Sequence, residues 1–464
     1  MSTLKINLSL WARNVLRENE LCRRHVSELL AHERATDGAL SAFQNEMLRK
    51  TLASASKQIP AYSGVKDVAK ACAGDELIPF LRENFPVISK KDLISARYDY
   101  YPHHGKVWPW TILGKTSGTT GSPLDVFRSY DSVVWENAFV RRHWQWSGFR
   151  QGMRRATLRG DQILNLEHKK PPFWIENRLD QQLLLSTRHL NNEHAPFFSE
   201  ALRDYQPFLL QAYPSAAFIL AQALERNEQT LAIPWVFTGS EMLYPYQREL
   251  IEARLGRVMD FYGMAERVAF AGECTFGNLH VNTDYSFVEI VDENNQPTDG
   301  EGFVVGTTFH NHLMPLLRYK LSDRTRWKPG TCLCGRSYPM IEPIRGKFED
   351  VLFGSTGNVV SPSIITFAFK GVANIDSSQV AQIGPAAWEV RVVPGPAYSQ
   401  DDGAQIVKNI HQSIDSGLSV ALLLKEKIER TSAGKYRWVV NEWQPGGVRE
   451  KSTLSLEGRG SKGG

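Results

Sequence analysis

Hydrophobic positions in the first part of the chain recur at helical spacing. Leucines stand among charged residues between positions 8 and 30, and this pattern predicts helices over residues 1–57. Pro60 ends the stretch, because proline does not favour a continuing helix. Short helices are predicted over residues 70–99, where Ser89 is a candidate helix cap.

From about residue 108 to residue 345, extended apolar segments alternate with helical stretches. The apolar segments are 154–158, 207–212, 232–238, 258–262 and 286–291. The helical stretches between them are 194–205, 214–226 and 244–255. Strands interleaved with helices predict an α/β fold with parallel-rich sheets covered by helices.

The pattern changes twice more towards the C-terminus. Segments 286–291, 303–309 and 323–328 are joined by polar turns and predict a β-rich subdomain. Residues 346–444 predict a smaller α/β unit, with strands near 388–393 and 419–424 and a helix near 400–415. We therefore expect a large domain over 1–345, a small mobile domain over 346–444 and a glycine-rich disordered tail over 445–464.

Composition narrows the class of protein. Hydrophobic residues make up 42% of the 464 positions and charged residues 22%, which is an ordinary globular balance. The net charge of +4 is too small to favour nucleic acid or an anionic membrane as the main partner. No apolar run reaches the length of a membrane span, and no secretory signal is recognisable, so a cytoplasmic location is expected. The oligomeric state stays open.

A loop rich in glycine and hydroxyl residues is the first candidate for chemistry. Residues 115–123 hold two glycines, five hydroxyl side chains and a proline. Glycine lets backbone N–H groups approach an anion, and hydroxyls donate to phosphate oxygens. An ordinary surface loop is an equally good explanation of the composition alone. The candidate phosphate ligands are Thr116, Ser117, Gly118, Thr119, Thr120 and Gly121.

Four cysteine and histidine residues form a possible metal site. Cys274 and His280 are six positions apart, and Cys332 and Cys334 follow much later. Three thiols and one imidazole are a ligand set typical of structural Zn²⁺. The spacing alone also allows four unrelated residues, because Cys-x-Cys is tighter than the usual Cys-x₂-Cys.

The hydroxyl-rich loop Ser-Gly-Thr-Thr-Gly-Ser-Pro resembles the phosphate loop of the adenylate-forming (acyl-CoA synthetase) superfamily. The segment from Phe261 to Arg267 resembles the superfamily's Tyr-Gly-x-Thr-Glu motif, with Ala265 at the position where the motif has a hydroxyl residue. The segment from Leu317 to Asp323 resembles the Arg-Tyr-x-x-x-Asp motif of the same superfamily. The Cys…His…Cys-x-Cys-Gly-Arg pattern is similar to the CapK-like branch of the phenylacetate–CoA ligase group, which is associated with capsular polysaccharide biosynthesis.

This resemblance implies a site for ATP and Mg²⁺. Tyr262 would stack on adenine, Glu266 would hold Mg²⁺, and Asp323 would accept the ribose hydroxyls. Lys435, in a late Gly-Lys turn, would offset charge during adenylation, and Lys347 stands where the family has arginine. The remaining candidates for nucleotide contact are Gly239, Ser240, Glu241 and Gly263.

The implied reaction joins a small carboxylic acid to ATP, giving acyl-AMP, and then transfers the acyl group to a thiol such as CoA. Rotation of the small domain would exchange Lys435 for the thiol channel. Two alternatives stay open. The first is an adenylyltransferase or an amide- or ester-forming ligase in polysaccharide or natural-product biosynthesis. The second is a non-catalytic nucleotide-binding member, which the departures at Ala265 and Lys347 suggest.

Overall fold

Within the described part of residues 1–57 the protein is helical, as the leucine pattern predicts, whereas residues 1–15 and 17 lie outside the described residues. The computed structural model describes residues 16, 18–74, 76–96, 99–101, 111–115, 124–345, 350–372, 374–429 and 437–443. The helices are α1 (Glu20–His32), α2 (Asp37–Gln58), α3 (Val68–Ala73), α4 (Leu77–Asn84) and α5 (Lys90–Ser95), with a 3-10 turn at Pro60–Tyr62. Ser89 caps α5 in a capping box with Asp92, as predicted.

A long central region holds the elements that carry the candidate site. In chain order they are β1 (Ile112–Lys115), β2 (Asp125–Arg128), α6 (Tyr130–Gln145), β3 (Arg155–Arg159), β4 (Trp174–Asn177), β5 (Gln182–Ser186), α7 (Ala195–Tyr205), β6 (Leu209–Ala212), α8 (Pro214–Arg226), β7 (Trp235–Gly239), α9 (Pro245–Arg254), β8 (Arg257–Gly263), β9 (Phe270–Glu273), β10 (Leu279–Val281), β11 (Ser286–Val291), β12 (Gly302–Thr308), β13 (Tyr319–Thr325), β14 (Trp327–Lys328) and β15 (Met340–Ile341). Two 3-10 turns, Arg178–Asp180 and Thr187–His189, lie beside β5.

Ten of these strands form one sheet in the order β14-β15-β10-β9-β8-β7-β6-β3-β5-β4. The five strands β5, β3, β6, β7 and β8 run parallel, and antiparallel strands extend the sheet at both ends. The predicted α/β class with a parallel-rich sheet is confirmed. Parallel strands need long crossovers, and α8 and α9 supply the two that join β6, β7 and β8.

The sheet is buried on both faces. Because side chains alternate along a strand, Leu209 and Phe237 pack on one face with Trp144 of α6. Leu210, which follows Leu209, and Val236, which precedes Phe237, pack on the opposite face with residues of α7 and α8. Burial on both faces explains why the strands are nearly continuous apolar runs in the sequence.

The β-rich subdomain is a separate three-stranded antiparallel sheet in the order β11-β12-β13. The predicted strand 286–291 is present with those bounds. The predicted strand 323–328 is divided, because β13 pairs with β12 whereas β14 pairs with β15 of the large sheet. Partners distant in sequence decide this division, so it could not be seen in the local pattern.

The C-terminal region forms a smaller α/β unit. Its elements are β16 (Leu352–Phe353), β17 (Val359–Val360), α10 (Pro362–Ile365), a 3-10 turn at Thr366–Phe369, β18 (Ile375–Gly384), β19 (Ala387–Pro394), α11 (Gln400–Ser413), β20 (Ser419–Leu424) and β21 (Val439–Asn441). Four strands form a sheet in the order β20-β19-β18-β21. The predicted tail over 445–464 lies outside the described residues.

This unit packs directly on the large region. Apolar side chains of β17, α10 and β18 share one core with those of β3, β5 and α8. The Val359 N–H donates to the Leu190 carbonyl at 3.3 Å, and the Asn191 amide donates to the Thr356 carbonyl at 3.0 Å. No helix within the described ranges is long and apolar enough to cross a bilayer.

Candidate active site

Two carboxylates from separate sequence motifs lie on one wall of a large cavity. Glu266 follows β8 and Asp323 lies in β13. The Tyr262 hydroxyl donates to Oδ2 of Asp323 at 2.7 Å, and the Tyr319 hydroxyl donates to Oε1 of Glu266 at 3.3 Å. Each motif therefore supplies the tyrosine that holds the carboxylate of the other motif, and we call these contacts the crossed tyrosine pairs.

Burial of the crossed tyrosine pairs changes the pKa of their tyrosines. Glu266 is 8% exposed and Asp323 is 1% exposed. Desolvation, together with the neighbouring carboxylate charges, raises the pKa of both Tyr262 and Tyr319 well above its ordinary value. Both phenols consequently stay protonated and remain hydrogen-bond donors over the whole physiological range.

Arg128, which is not among the site residues predicted from the sequence, also reaches this wall. It ends β2, and its Nη2 donates to the Ala265 carbonyl at 2.5 Å. Its guanidinium crosses Gly114 on the paired strand, where an added Cβ would lie 2.3 Å from Arg128 Cζ. Burial lowers the pKa of Arg128 to about 10, so it stays charged at neutral pH. Strand pairing brings it here, and no local motif marks it.

The last residue of β7 and the turn after it hold three predicted site residues. An added Cβ on Gly239 would lie 2.4 Å from the Phe261 ring, so only glycine fits there. Ser240 lines the cavity, and its hydroxyl accepts from Arg159 at 2.5 Å. Glu241 turns its carboxylate to the backbone N–H of Ser215 at 3.1 Å, and desolvation raises its pKa. The Glu241 carboxylate thus contacts the first turn of α8.

Left-handed backbone recurs beside these motifs. Ser240 has φ of 71°, Arg267 has φ of 60° and Arg318 has φ of 49°. Each residue adjoins a predicted site residue or a member of the crossed pairs. Because such φ values are costly for residues other than glycine, the surrounding structure must hold these turns in place.

The cavity has a volume of about 1290 Å³. Its walls come from the β8 and β13 motifs, from α6, from β3 and β6, and from the C-terminal unit. Besides Glu266 and Asp323, the lining includes Gly263, Arg159, Tyr213 and Phe367. A space of this size is large enough for a nucleotide and a second small molecule.

Several predicted site residues lie outside the described part of the chain. They are Thr116, Ser117, Gly118, Thr119, Thr120, Gly121, Lys347 and Lys435. The described flanks of the first six are β1 and β2, and β2 carries Arg128 to the wall beside Glu266. The roles of the eight residues stay predictions.

The four predicted metal ligands do come together. The ligand atoms of Cys274, His280, Cys332 and Cys334 all lie within 4.8 Å of one another. The Cys274 and Cys332 sulfurs are 3.6 Å apart, and the Cys334 sulfur is 3.4 Å from His280 Nε2. A tetrahedral Zn²⁺ with Zn–S bonds of about 2.3 Å sets its sulfurs about 3.8 Å apart, so the thiol spacing fits this ion.

Residues outside the cluster hold its ligand side chains in position by hydrogen bonds. His280 Nδ1 lies 2.9 Å from the Tyr338 carbonyl, which fixes the ring so that Nε2 faces the thiols. The Asn278 amide donates to the Cys332 sulfur at 3.2 Å. Such outer contacts are typical of metal-binding histidine and cysteine residues.

Tyr338 connects the cluster to a buried ion pair. Its hydroxyl donates to Asp284 at 2.6 Å, and Arg142 of α6 binds both carboxylate oxygens of Asp284, at 2.5 and 3.0 Å. Burial disfavours the charge on Asp284, but the Arg142 guanidinium holds its pKa well below the usual range. The metal-ligand cluster and α6 are therefore parts of one hydrogen-bonded framework.

The chain is similar in sequence to a known protein family and to characterised proteins. Residues 352–442 match the family model described as the CapK C-terminal domain. The chain is 26% identical to Protein CapK of Staphylococcus aureus over 343 residues, which cover 70% of this chain and 73% of that protein. It is 24% identical to phenylacetate-coenzyme A ligase of Thermus thermophilus over 456 residues, which cover 87% and 96% respectively.

A solved structure has a fold similar to that of this chain. A 2-hydroxyisobutyryl-CoA ligase, crystallised with 2-HIB-AMP and CoA, superposes with a TM-score of 0.58 at 18% identity, covering 89% of this chain and 92% of the ligase. The resemblance predicted from the sequence motifs is confirmed. Residues 352–442 thus match the CapK C-terminal domain, and the chain as a whole is a relative of CapK and of the phenylacetate-coenzyme A ligases with the fold of the 2-hydroxyisobutyryl-CoA ligase.

Proposed function

We propose that this protein uses ATP to convert a small carboxylic acid into an acyl-adenylate and then transfers the acyl group to the thiol of CoA. The crossed tyrosine pairs carry the proposal, because they unite the Tyr-Gly-x-x-Glu and Arg-Tyr-x-x-x-Asp motifs at one cavity wall. The phenylacetate-coenzyme A ligase relative and the fold of the 2-hydroxyisobutyryl-CoA ligase support the same reaction.

In the first half-reaction, the acid carboxylate attacks the α-phosphate of ATP and pyrophosphate leaves. Two anions must approach each other, so the site has to supply positive charge. Mg²⁺ held by Glu266 would supply part of it as a Lewis acid. Arg128, beside Glu266, and Lys435 would supply the rest. The loop Thr116–Gly121 would donate to the phosphates, and Lys347 would contact the nucleotide.

The ribose and adenine would occupy the wall formed by the crossed pairs. Asp323 would accept the ribose hydroxyls while the Tyr262 hydroxyl fixes its Oδ2. The Tyr262 ring and Gly263 would face the adenine, with Gly239, Ser240 and Glu241 shaping the turn across from them. In the second half-reaction, rotation of the C-terminal unit relative to the large region would admit CoA, whose sulfur attacks the acyl carbonyl and releases AMP.

We also propose that the four-residue cluster binds a structural Zn²⁺. Cys274, His280, Cys332 and Cys334 form a closed Cys₃His set, and closed sets of this kind are structural in proteins. The ion would join the end of β9 to the loop that precedes β15. Since β9 pairs with β8, the metal would stabilise the strand that carries Tyr262.

Acid-dependent exchange of labelled pyrophosphate into ATP tests the first half-reaction across a panel of carboxylic acids. We expect Glu266→Gln to lower the exchange rate at least ~100-fold, because it removes a charged Mg²⁺ ligand and keeps the shape of the side chain. Glu293→Gln, at a largely exposed turn residue, is the matched control and keeps the wild-type rate. Exchange that is insensitive to Glu266→Gln would contradict the proposed role.

The same assay separates the alternatives. Acyl-AMP that forms but is consumed only with an amine or alcohol acceptor, and not with CoA, identifies an amide- or ester-forming ligase. ATP or AMP binding without exchange for any acid identifies a non-catalytic nucleotide-binding protein. Consumption of acyl-AMP that depends on CoA supports the acid–thiol ligase.

A further inference from the structure

The cavity continues past the nucleotide wall into a chamber between α6 and the large sheet. Asn137, Val140 and Trp144 of α6 form one side of it. The other side is formed by the sheet strands β5, β3 and β6. Within the proposed function, on which this inference rests, this chamber is where the organic part of the acid lies.

The sheet side of the chamber has polar side chains. Arg155 and Thr157 stand two positions apart on β3 and so share a face, and Gln182 stands on the neighbouring β5. All three line the cavity, yet their exposures are 4%, 5% and 8%. They form a buried polar surface where an unsubstituted aryl or alkyl chain requires an apolar one, and we call them the chamber floor.

Hydrogen bonds link the chamber floor into a chain. Arg155 Nη2 donates to Gln182 Oε1 at 3.2 Å, and Gln182 Nε2 donates to Thr157 Oγ1 at 2.8 Å. An amide nitrogen has two N–H groups, and a hydroxyl that accepts one bond still has its own proton to donate. Gln182 and Thr157 can therefore offer donors to an oxygen atom of a bound molecule.

The charge of the chamber floor is already balanced within the protein. Arg155 lies 3.3 Å from Glu18 and 3.7 Å from Asp180, and it also donates to the Asp180 carbonyl at 2.9 Å. A second carboxylate on the substrate is therefore not needed to neutralise Arg155. The floor calls for a neutral oxygen that accepts hydrogen bonds.

A purely apolar acid would displace water from the chamber floor and leave its donors without partners. Each buried polar group left in that state lowers the affinity for the bound acid, because it has lost its water partner without gaining another. A hydroxyl on the acid removes this cost. We propose that the preferred substrates are carboxylic acids with one or more hydroxyl groups on the side chain, and that Thr157 and Gln182 bind those hydroxyls.

Pyrophosphate exchange with matched acids tests the inference. Phenylacetate is compared with its meta- and para-hydroxy derivatives, and hexanoate with its terminally hydroxylated derivative. We expect kcat/KM at least ~10-fold higher for a hydroxylated acid than for its parent, because a site built to hydrogen-bond a hydroxyl discriminates against the analogue that lacks it. Equal or better exchange with the parents overturns this inference and leaves adenylation standing, whereas exchange with no acid overturns the proposed function itself.

A substitution in the chamber floor provides a second measurement. Thr157→Val keeps the shape of the side chain and removes its hydroxyl, so the ratio of kcat/KM for the hydroxylated acid to that for its parent should fall ~10-fold. The ratio is independent of the fraction of folded enzyme. Gln229→Leu, at an exposed loop position after α8, is the control that keeps the wild-type ratio. An unchanged ratio in Thr157→Val overturns the assignment.

Discussion

At the scale of single residues, the candidate site depends on donors that the motifs alone do not reveal. The motif resemblance implies that the Tyr262 ring stacks on adenine. The structure adds that the Tyr262 hydroxyl donates a hydrogen bond to Asp323. Tyr319 does the same for Glu266 from the other motif. A buried carboxylate needs such partners, because water no longer satisfies its oxygens.

Asp260, next to these motifs on β8, has an unusual protonation equilibrium. Its Oδ1 accepts from the Thr238 hydroxyl at 2.6 Å, and its own backbone N–H donates to Glu273 at 2.7 Å. Desolvation, followed by repulsion from Glu273, raises the pKa of Asp260 to about 7. A carboxyl with a raised folded-state pKa contributes stability that is present below pH ~4 and is lost as the pH rises through about 7.

We expect Asp260→Asn to raise the free energy of unfolding at pH 8 by about 1–3 kcal/mol, because the neutral amide has neither the desolvation cost nor the repulsion from Glu273. At pH 4 the gain should vanish, since the carboxyl is already protonated in the folded protein. Urea unfolding at the two pH values measures the difference. Asp299→Asn, in an exposed turn, should show no such pH-dependent gain, and an equal gain from both variants would contradict the explanation.

At the scale of elements, α6 connects the Cys₃His cluster to the chamber beside the large sheet. Asn137, Val140 and Trp144 line the chamber, while Arg142 binds the buried Asp284. Tyr338 then joins Asp284 to the carbonyl that orients His280. A disturbance at the cluster should therefore reach the chamber through a short path of hydrogen bonds.

Loss of one thiol tests this connection. We expect Cys332→Ser to lose bound Zn²⁺, to lower Tm by roughly 5 °C or more, and to weaken ATP binding, because closed zinc sites contribute directly to folding free energy. Metal content by mass spectrometry, thermal melting and calorimetric ATP titration give the three readings.

The matched control for the thiol is Cys72→Ser, since Cys72 is a free cysteine whose sulfur contacts the Arg49 carbonyl, far from the cluster in sequence. The control should keep its metal content and its affinity for ATP. If Cys332→Ser also keeps both and melts at the wild-type temperature, the structural role of the cluster is wrong.

At the scale of the whole molecule, the two predicted domains share a core in this arrangement. Ile364 approaches Gly160, Arg188 lies over the Phe367 ring at 5.8 Å, and Val359 bonds to Leu190. A boundary near residue 345 stays a proposal, as does rotation about it. Packing of this kind means that movement of the C-terminal unit would expose apolar surface on both sides.

Truncation measures how much the large region depends on that contact. A chain that ends at residue 345 should melt ~5 °C or more below the full chain and bind a hydrophobic dye, because apolar side chains of β3, β5 and α8 lose their cover. A chain that ends at residue 444 lacks only the glycine-rich tail and should melt like the full chain. Identical melting of the shorter chain would show that the two cores are independent.

Much of the fold was determined by local pattern. Burial on both faces of the parallel strands produced the apolar runs, and the crossover helices kept a helical period, so β11, α8 and β20 have the predicted bounds. Strands β5 and β18 were not predicted. Leu183, Leu184 and Leu185 are equally compatible with a buried helix, because a short apolar run has no distinguishing period.

The candidate site, like the fold, could be predicted only in part from the sequence. Residue types and their order along the chain were enough to identify the ligase resemblance and the Cys₃His set, because these depend on the identity of the side chains. Arg128 and the chamber floor of Arg155, Thr157 and Gln182 were decided only by the tertiary structure. Their position depends on which strands pair and which face meets α6, and contacts between distant segments set both.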